Sequence, residues 1–339
     1  MCGADQESRV FEDLRDALGV RASWRAGAGS FQWTLCGAEQ RAWRVPTTSS
    51  GDGPAWRLHL RTYAVDGFSG SPAQLSVLSS DLTAPTLAGV VRTADVPAKL
   101  ELASALDVPG GDFRRVLRAV VVTARSQAAE AGYLSLSRRL TSVGLVPGVD
   151  LEAAAQAESW RSSAGAIVGR REREVERAFG TRSQIGAWID MLRQQTGARA
   201  VQTPEGICAT LPFGAAGASR SILELNADAE HPMLGEGLSA ILTMPLQVGP
   251  TEAMMLNERE VGPQCSGDAL GGWRATEEGI LVHSSFHPHA LYQDGLDLQL
   301  LLAYARRARE VANSLGAAAQ RNAHRADGGA AGGRMNRQS

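Results

Sequence analysis

Two nonapeptides, LRDALGVRA at Leu14–Ala22 and LRQQTGARA at Leu192–Ala200, carry Leu, Arg, Gly, Arg and Ala at matching places 178 residues apart. Each reads as the end of an amphipathic helix, a Gly where positive φ is cheap, and the entry to a strand. The offset recurs where nothing local forces it. Pro72 and Leu78 fall on Pro250 and Leu256 at 178; Leu100, Leu102, Ser104 and Leu106 lie over Ile280, Val282, Ser284 and Phe286 at 180; Ala124-Arg125 lies over Ala305-Arg306 at 181. A drift of about three residues over a whole half is what a duplicated unit with small loop changes gives. The chain is therefore expected to fold as two tandem homologous units.

Hydrophobic periodicity fills in the unit. Val10, Phe11, Leu14 and Leu18 make one helical face, ended by Gly19. Short alternating runs follow at Val20 to Arg25, Phe31 to Cys36, Arg41 to Val45 and Trp56 to Ala64, punctuated by Gly27, Gly29, Gly37 and the turn Ser50-Gly-Asp-Gly53. They read as an antiparallel meander with one buried face, whose Trp residues form the core. A helix from Pro72 to Ser80, strands near Ala88 to Thr93 and Lys99 to Ala105, and a helix from Phe113 to Ala131 complete the unit.

From Thr181 the order repeats. Ile185, Trp188, Ile189 and Leu192 line the opening helix. Strands are expected at Ala198 to Thr203, Gly206 to Leu211, Ser219 to Asn226 and Leu238 to Leu246. A helix from Thr251 to Glu260, strands at Trp273 to Thr276 and Ile280 to Ser285, and a closing helix from Leu296 to Leu315 follow. The expected class is α+β: two units, each an antiparallel sheet flanked by helices in the order α, β-meander, α, ββ, α, related by a pseudo-two-fold axis. The boundaries are 1–146 for the first unit, 147–180 for a helical linker that Asp150 can cap, 181–316 for the second unit and 317–339 for a disordered tail.

Composition narrows the function. The 339 residues are 44% apolar and 21% charged, enough for two cores, and the formal net charge of −2 argues against a nucleic-acid partner. No apolar run is long enough to cross a membrane, and the start, MCGADQESRVFEDL, lacks a basic and then apolar signal segment, so a cytoplasmic protein is expected. Cys2, Cys36, Cys208 and Cys265 form no CxxC pair and read as free thiols.

Candidate chemistry is sparse. His283, His287 and His289, with Asp294 and Cys265 possible neighbours, could converge on zinc, but the segment His287-Pro-His289 need not aim both rings at one point. No GxSxG elbow is present. Gly27-Ala-Gly29 and Gly214-Ala-Ala-Gly217 lack the strand and helix context of a phosphate loop, and Glu252, Glu258 and Glu260 read as helix surface. Neither a catalytic residue, a metal ligand nor a cofactor is assigned.

The partner-binding signal has a physical form. On the strand from Trp56, the residues Trp56, Leu58 and Leu60 point one way and Arg57, His59 and Arg61 the other, with Trp43 and Arg44 on a neighbouring strand. Trp43, Arg44, Trp56, Arg57 and Arg61 are the expected docking residues for an acidic or extended peptide, because Arg and Trp are favoured anchors. The same alternation would also serve as the ordinary polar face of an exposed sheet.

The second half, with its mixed sheet, the segment Ala253-Met-Met-Leu256-Asn257-Glu258, the hairpin at Trp273 to Ser285 and a closing helix carrying Leu300, Leu301, Ala305 and Ala308, resembles the YbjN and type III secretion chaperone-like (CesT-like) fold. The first half resembles it more weakly. The resemblance implies an α-β-β-β-α-β-β-α unit that binds peptides or unfolded segments of partner proteins, commonly as a two-fold dimer. Two fused copies would then imitate that dimer within one monomeric chain. The expected function is a non-enzymatic chaperone-like or adaptor protein holding a peptide segment of a partner. The alternatives are a metal-dependent enzyme or regulator using the His283, His287 and His289 segment, and an immunity-type inhibitor of a folded partner.

Overall fold

A computed structural model describes residues 3–21, 23–27, 30–47, 55–81, 87–108, 114–150, 152, 182–213, 219–231, 235–263, 265, 267–288 and 300–311. The protein is α+β and contains two antiparallel sheets. The first half runs α1 (Gly3–Leu18), β1 (Arg25–Gly27), β2 (Ser30–Leu35), β3 (Ala38–Thr47), β4 (Ala55–Phe68), α2 (Pro72–Asp81), β5 (Gly89–Arg92), β6 (Ala98–Val108), α3 (Arg114–Leu136), α4 (Arg138–Ser142) and β7 (Val146–Pro147). The second runs α5 (Arg182–Thr196), β8 (Arg199–Gln202), β9 (Gly206–Phe213), β10 (Ser219–His231), β11 (Gly235–Gln247), α6 (Pro250–Val261), β12 (Gly272–Ala275) and β13 (Ile280–Pro288). A closing helix, α7, follows at 300–311.

Sheet 1 has the strand order β1-β2-β3-β4-β6-β5, with β7 also pairing β4; sheet 2 has β8-β9-β10-β11-β13-β12. Helix α3 lies on β3, β4 and β6 and touches α1. Their shared core holds Leu14, Leu18, Trp33, Leu58, Leu60, Leu106 and Val120. In the second half Trp188 and Leu192 of α5 and Leu301, Tyr304 and Ala308 of α7 pack with Leu223, Leu242 and Leu281 of the sheet.

The opening hinge has the same backbone form in both halves: Gly19 sits at φ 72° and Gly197 at φ 67°, the left-handed cap that ends a helix. The strand expected from Val20 starts later, at Arg25, because a turn intervenes: Val20 N–H bonds Arg15 O (3.2 Å) and Ser23 N–H bonds Val20 O (3.2 Å). The Arg residues of the repeated nonapeptide have different partners. Arg21 and Arg15 bind Asp16, whereas Arg193 Nη2 donates to Ala200 O on β8 at 3.2 Å.

The pairing of β6 with β13 at an offset of 180 fails on facing. In β6, Ser104 takes a hydrogen bond from Gln127 of α3, so Leu102, Ser104 and Leu106 face the helix. In β13 the residues facing α7 are His283 and Ser285, both bonded to Tyr304. Val282, Ser284 and Phe286 are on the opposite face, and Phe286 inserts into the core of the first half. Strand side chains alternate, so only an odd offset brings inward residues onto inward residues.

Sheet 1 also takes in residues past 146. Strand β7 pairs Pro147 with Val65, Gly148 N–H bonds Ala64 O at 2.9 Å, and Val149 is buried. Asp150 Oδ1 accepts Glu152 N–H at 3.0 Å, the bond expected of a capping residue, but the remainder of the linker helix and the tail lie outside the described residues.

The halves meet where β5 and β12 end their sheets. Gly89 and Gly272 open these strands, and a Cβ on Gly272 would lie 2.7 Å from the Gly89 Cα. Ala105 and Ala269 exchange backbone hydrogen bonds at 3.2 and 2.8 Å. Asn257 of α6 joins the two edges: its Nδ2 donates to Val90 O (3.0 Å) and Trp273 O (3.1 Å), and its Oδ1 accepts Trp273 N–H at 2.6 Å. Among the described residues, no helix is long and apolar enough to cross a membrane.

Candidate functional site

Register decides which of the expected docking residues share a surface. In the β3–β4 pair, Arg41 opposes Arg61, Trp43 opposes His59 and Val45 opposes Arg57, while Arg44 opposes Leu58 and Pro46 opposes Trp56. Directly opposed residues share a face. Trp43, Arg57 and Arg61 therefore lie on the outer face of sheet 1. Arg44 and Trp56 lie on the inner face, where the Arg44 guanidinium sits 5.2 Å from the Trp56 ring. The five residues do not form one patch.

Arg57 is the larger departure. Its side chain is 0% exposed. Nη1 binds Asp107 Oδ1 and Gly267 O, each at 2.7 Å, and Nη2 donates to Glu260 O at 2.8 Å. Asp107 Oδ2 in turn accepts Gly267 N–H at 2.6 Å, and Asp107 N–H bonds Asp268 Oδ1 at 2.9 Å. Alternation places Arg57 on the polar face, as expected, but that end of the face is covered by the second half. Arg57 fastens the halves together and is not available to a partner.

Beyond Arg57, the same face is built around Trp43. Its half-buried ring stacks on His59, with centroids 5.0 Å apart and planes at 12°. The guanidinia of Arg41 and Arg61 lie 5.4 and 5.5 Å from the ring centroid, within cation–π range. Both also bind Glu101, Arg41 at 2.9 Å and Arg61 at 3.0 Å, and Arg41 stays 44% exposed. Two guanidinia against one carboxylate leave an excess positive charge beside an aromatic ring. His59 is buried; burial first, then the neighbouring Arg57 and Arg61 charges, push its pKa down to about 4, so the imidazole is neutral near pH 7. His59 Nε2, Arg57 Nε and Arg61 Nε are buried and have no hydrogen-bond partner among the described residues.

His283 and His287 point into the interior of the second half. His283 and His287 lie on the inner face of β13, where His283 Nδ1 meets the Tyr304 hydroxyl at 3.1 Å, Ser285 Oγ meets it at 2.6 Å, and His287 Nε2 reaches Ser285 Oγ at 3.1 Å. The Tyr304 hydroxyl also donates to Ala240 O at 3.2 Å. Burial pushes the pKa of His283 down to about 4 and of His287 to about 3, with the Arg307 charge adding to both. Glu260 Oε1 accepts Arg307 Nε and Trp273 Nε1, each at 2.9 Å, and Glu260 Oε2 lies 3.6 Å from His283 Nε2. Burial opposes its charge, but Arg307 and His283 hold the Glu260 carboxyl well below the usual range. Glu260, expected on the helix surface, is instead an internal acceptor.

His289 and Asp294 lie outside the described residues, and among the described residues no group of three or more His, Cys, Asp or Glu is placed to hold a metal ion. The first half has its own polar chain between sheet and helix. Trp33 Nε1 donates to Gln40 (2.7 Å), Gln40 to Thr62 (2.7 Å), Thr62 to Gln127 (2.7 Å) and Gln127 to Ser104 (2.9 Å). Sequence reading missed Arg41, His59 and Glu101. Arg41 and His59 carry the same period-two signal as Trp43 and Arg61, but the pairing of Glu101 depends on β6 lying beside β4, a contact 40 residues away in the chain. No protein-family model matches the chain, and neither the curated proteins nor the solved structures give a match.

Proposed function

We propose that this chain is a non-enzymatic chaperone-like or adaptor protein that holds a peptide segment of a partner protein against the outer face of sheet 1, at Trp43, Arg41 and Arg61. The observation that carries this reading is the half-buried Trp43 ring, stacked on His59 and flanked by two guanidinia. A large ring already fixed in place loses little entropy on binding, and Arg beside an aromatic is a favoured anchor pair. The hydroxyls of Ser285 and Tyr304, between His283 and His287, are engaged in internal hydrogen bonds, which supports binding over catalysis.

The same proposal includes two tandem copies of one unit acting as an intramolecular pseudo-dimer, of the YbjN and type III secretion chaperone-like kind. Its support is the shared strand order of the two sheets and the contacts of like with like at the seam: β5 with β12, α2 with α6, Gly89 with Gly272. A two-fold axis produces such self-equivalent contacts. Each unit differs from the resembled fold in carrying four meander strands before its middle helix. A cytoplasmic setting belongs to the proposal as well and rests on Cys36, Cys208 and Cys265 being free thiols.

Screening of the intact protein against a peptide array tests the reading. Trp43→Ala and Arg61→Glu are expected to weaken binding at least about tenfold, the loss of one well-packed anchor, while circular dichroism keeps the form of the parent even though the unfolding midpoint falls. Binding that survives both substitutions would place the docking surface elsewhere.

A further inference from the structure

Sheet 2 has an outer face of its own, and only one end of it is covered. Its inner residues Ala200, Ala209 and Leu223 pair across β8, β9 and β10 and belong to the second core. Strand side chains alternate, so the residues on either side of these point outward. Register sets them in two rows, Val201, Cys208 and Glu224 in one and Arg199, Thr210 and Ile222 in the next. Toward β13 the face is closed, since Ser284 is buried and Phe286 enters the core of the first half. Toward β8 it is open: Val201 is 60% exposed and Ile222 46%, and Arg199 and Glu224 are exposed beside them.

These six positions mark out a rectangle. Strands lie about 4.8 Å apart and same-face residues about 6.7 Å apart along a strand, so each diagonal is about 12 Å. One diagonal joins the apolar pair Val201 and Ile222. The other joins Arg199 and Glu224, opposite charges too distant to pair within one chain. Such a pattern is complementary to itself. A two-fold axis lying in the contact plane, close to the Val201–Ile222 diagonal, sets Arg199 of each copy over Glu224 of the other and brings Val201 and Ile222 each against its own equivalent. Arg220, the next outward residue of β10, lies beyond the apolar diagonal and turns back to Ser219 O at 3.4 Å. The formal net charge of −2 opposes the approach of a second copy only weakly.

We infer that the outer face of sheet 2 is a contact between two copies of this chain, with Val201 and Ile222 at its centre and Arg199 paired with Glu224 once on each side. The contact is separate from the seam between the halves and uses no residue of sheet 1, so it stands independently of the docking reading. A patch about 20 Å on a side is smaller than the about 800 Å² that each partner gives to a standard interface, so the dimer is weak and reversible.

Sedimentation equilibrium of the full chain, from about 1 µM to about 1 mM, tests this contact. The average mass is expected to climb from that of one chain toward that of two. Ile222→Glu should hold the protein as a monomer. Arg199→Glu and, separately, Glu224→Arg should each weaken dimerisation at least about tenfold, because each sets like charges together twice, and the double variant should restore it. All three residues are exposed, so circular dichroism should keep the form of the parent. Restoration by the second reversal separates a contact between copies from an effect on the fold, since the two positions do not meet within one chain. A chain that stays monomeric over the whole range overturns the inference. So does a dimer that Ile222→Glu and the single charge reversals leave unchanged, or a double variant that associates no better than the singles.

Discussion

Replacing Arg57 by Met asks whether the two halves are held by the charged node at their seam. The guanidinium makes three short hydrogen bonds, to Asp107 (2.7 Å), Gly267 O (2.7 Å) and Glu260 O (2.8 Å), and has no exposure. Met fills most of the stem volume, so the loss is chiefly electrostatic. Breaking a buried ion pair by removing one partner costs about 3–5 kcal/mol. Asp107 is 33% exposed and keeps the Gly267 N–H, which places the cost at the lower end, about 3 kcal/mol, or roughly a hundredfold in the folding equilibrium. Arg41→Met is the control. That side chain is 44% exposed and shares Glu101 with Arg61, so its loss should cost less than about 1 kcal/mol.

Urea unfolding followed by tryptophan fluorescence and by far-ultraviolet circular dichroism measures both. Trp33 sits in the first core and Trp188 and Trp273 in the second, so the fluorescence carries both halves. Because Arg57 ties β4 to backbone at 260 and 267, the variant is also expected to separate one transition into two, the signature of halves that no longer unfold together. The double substitution Arg57→Met with Asp107→Asn should recover part of the loss by removing the stranded carboxylate. An Arg57→Met protein as stable as the Arg41→Met control, with coincident transitions, would refute the view that this node fastens the halves.

Gly272→Ala would place a Cβ 2.7 Å from the Gly89 Cα and 2.8 Å from Ala88 O; both contacts are backbone, so a loss of about 1–3 kcal/mol is expected in the same urea experiment. Tyr304→Phe removes a hydroxyl that meets His283, Ser285 and Ala240 O, and should cost about 2 kcal/mol without changing the fold, as read from unfolding and backbone amide spectra. The buried histidines set an acid limit. His59 and His283 are lowered to about 4 and His287 to about 3, so their contribution to stability is full above 6.5 and is lost as pH falls through those values; Glu260, also lowered, adds a loss below its ordinary 4.5. The urea midpoint should fall steadily from pH 6.5 to pH 4, and His283→Gln should flatten that fall.

Most of the element order was readable from the chain because each element is local, but the short α4 and β7 were not foreseen. Periodicity places the helix faces and strands, and Gly19 and Gly197 mark the same turn in both halves. What periodicity cannot supply is depth. It puts Arg57, His59 and Arg61 on one face of β4 but is blind to the second half lying over the Arg57 end, since Glu260 and Gly267 are some 200 residues away. Likewise the spacing of His283 and His287 fits a ligand pair, and only the placement of α7 brings the Tyr304 hydroxyl onto His283 and Ser285, with His287 bonded to Ser285. The even offset in β13 shows the other limit. Alternating apolar residues resemble a neighbouring register equally well, and a slip of one residue exchanges the inside of the sheet for the outside.

The seam itself argues for fusion over association. A homodimer with a two-fold axis must make every contact twice, once from each copy. Here β5 meets β12 and Gly89 meets Gly272, as an axis demands, but the fastening groups act from one side only. Under the proposed repeat the position matching Arg57 at an offset of 178 is Gly235, and the position matching Asn257 is Ser79. Gly235 has no side chain with which to return the Arg57 contact, and Asn257 reaches Val90 O and Trp273 from its own side of the seam. A single covalent chain removes the requirement for symmetry, so one half donates Arg57 and the other its backbone acceptors. The same freedom lets the outer face of sheet 1 gather Arg41, Trp43, His59 and Arg61, while the matching face of sheet 2 carries Cys208, Ile222, Glu224 and Ile241, with no aromatic ring among them. Docking chemistry is therefore expected in one half alone, and a protein with Trp43→Ala should retain no second, weaker site on sheet 2, a difference that binding stoichiometry by calorimetry would reveal.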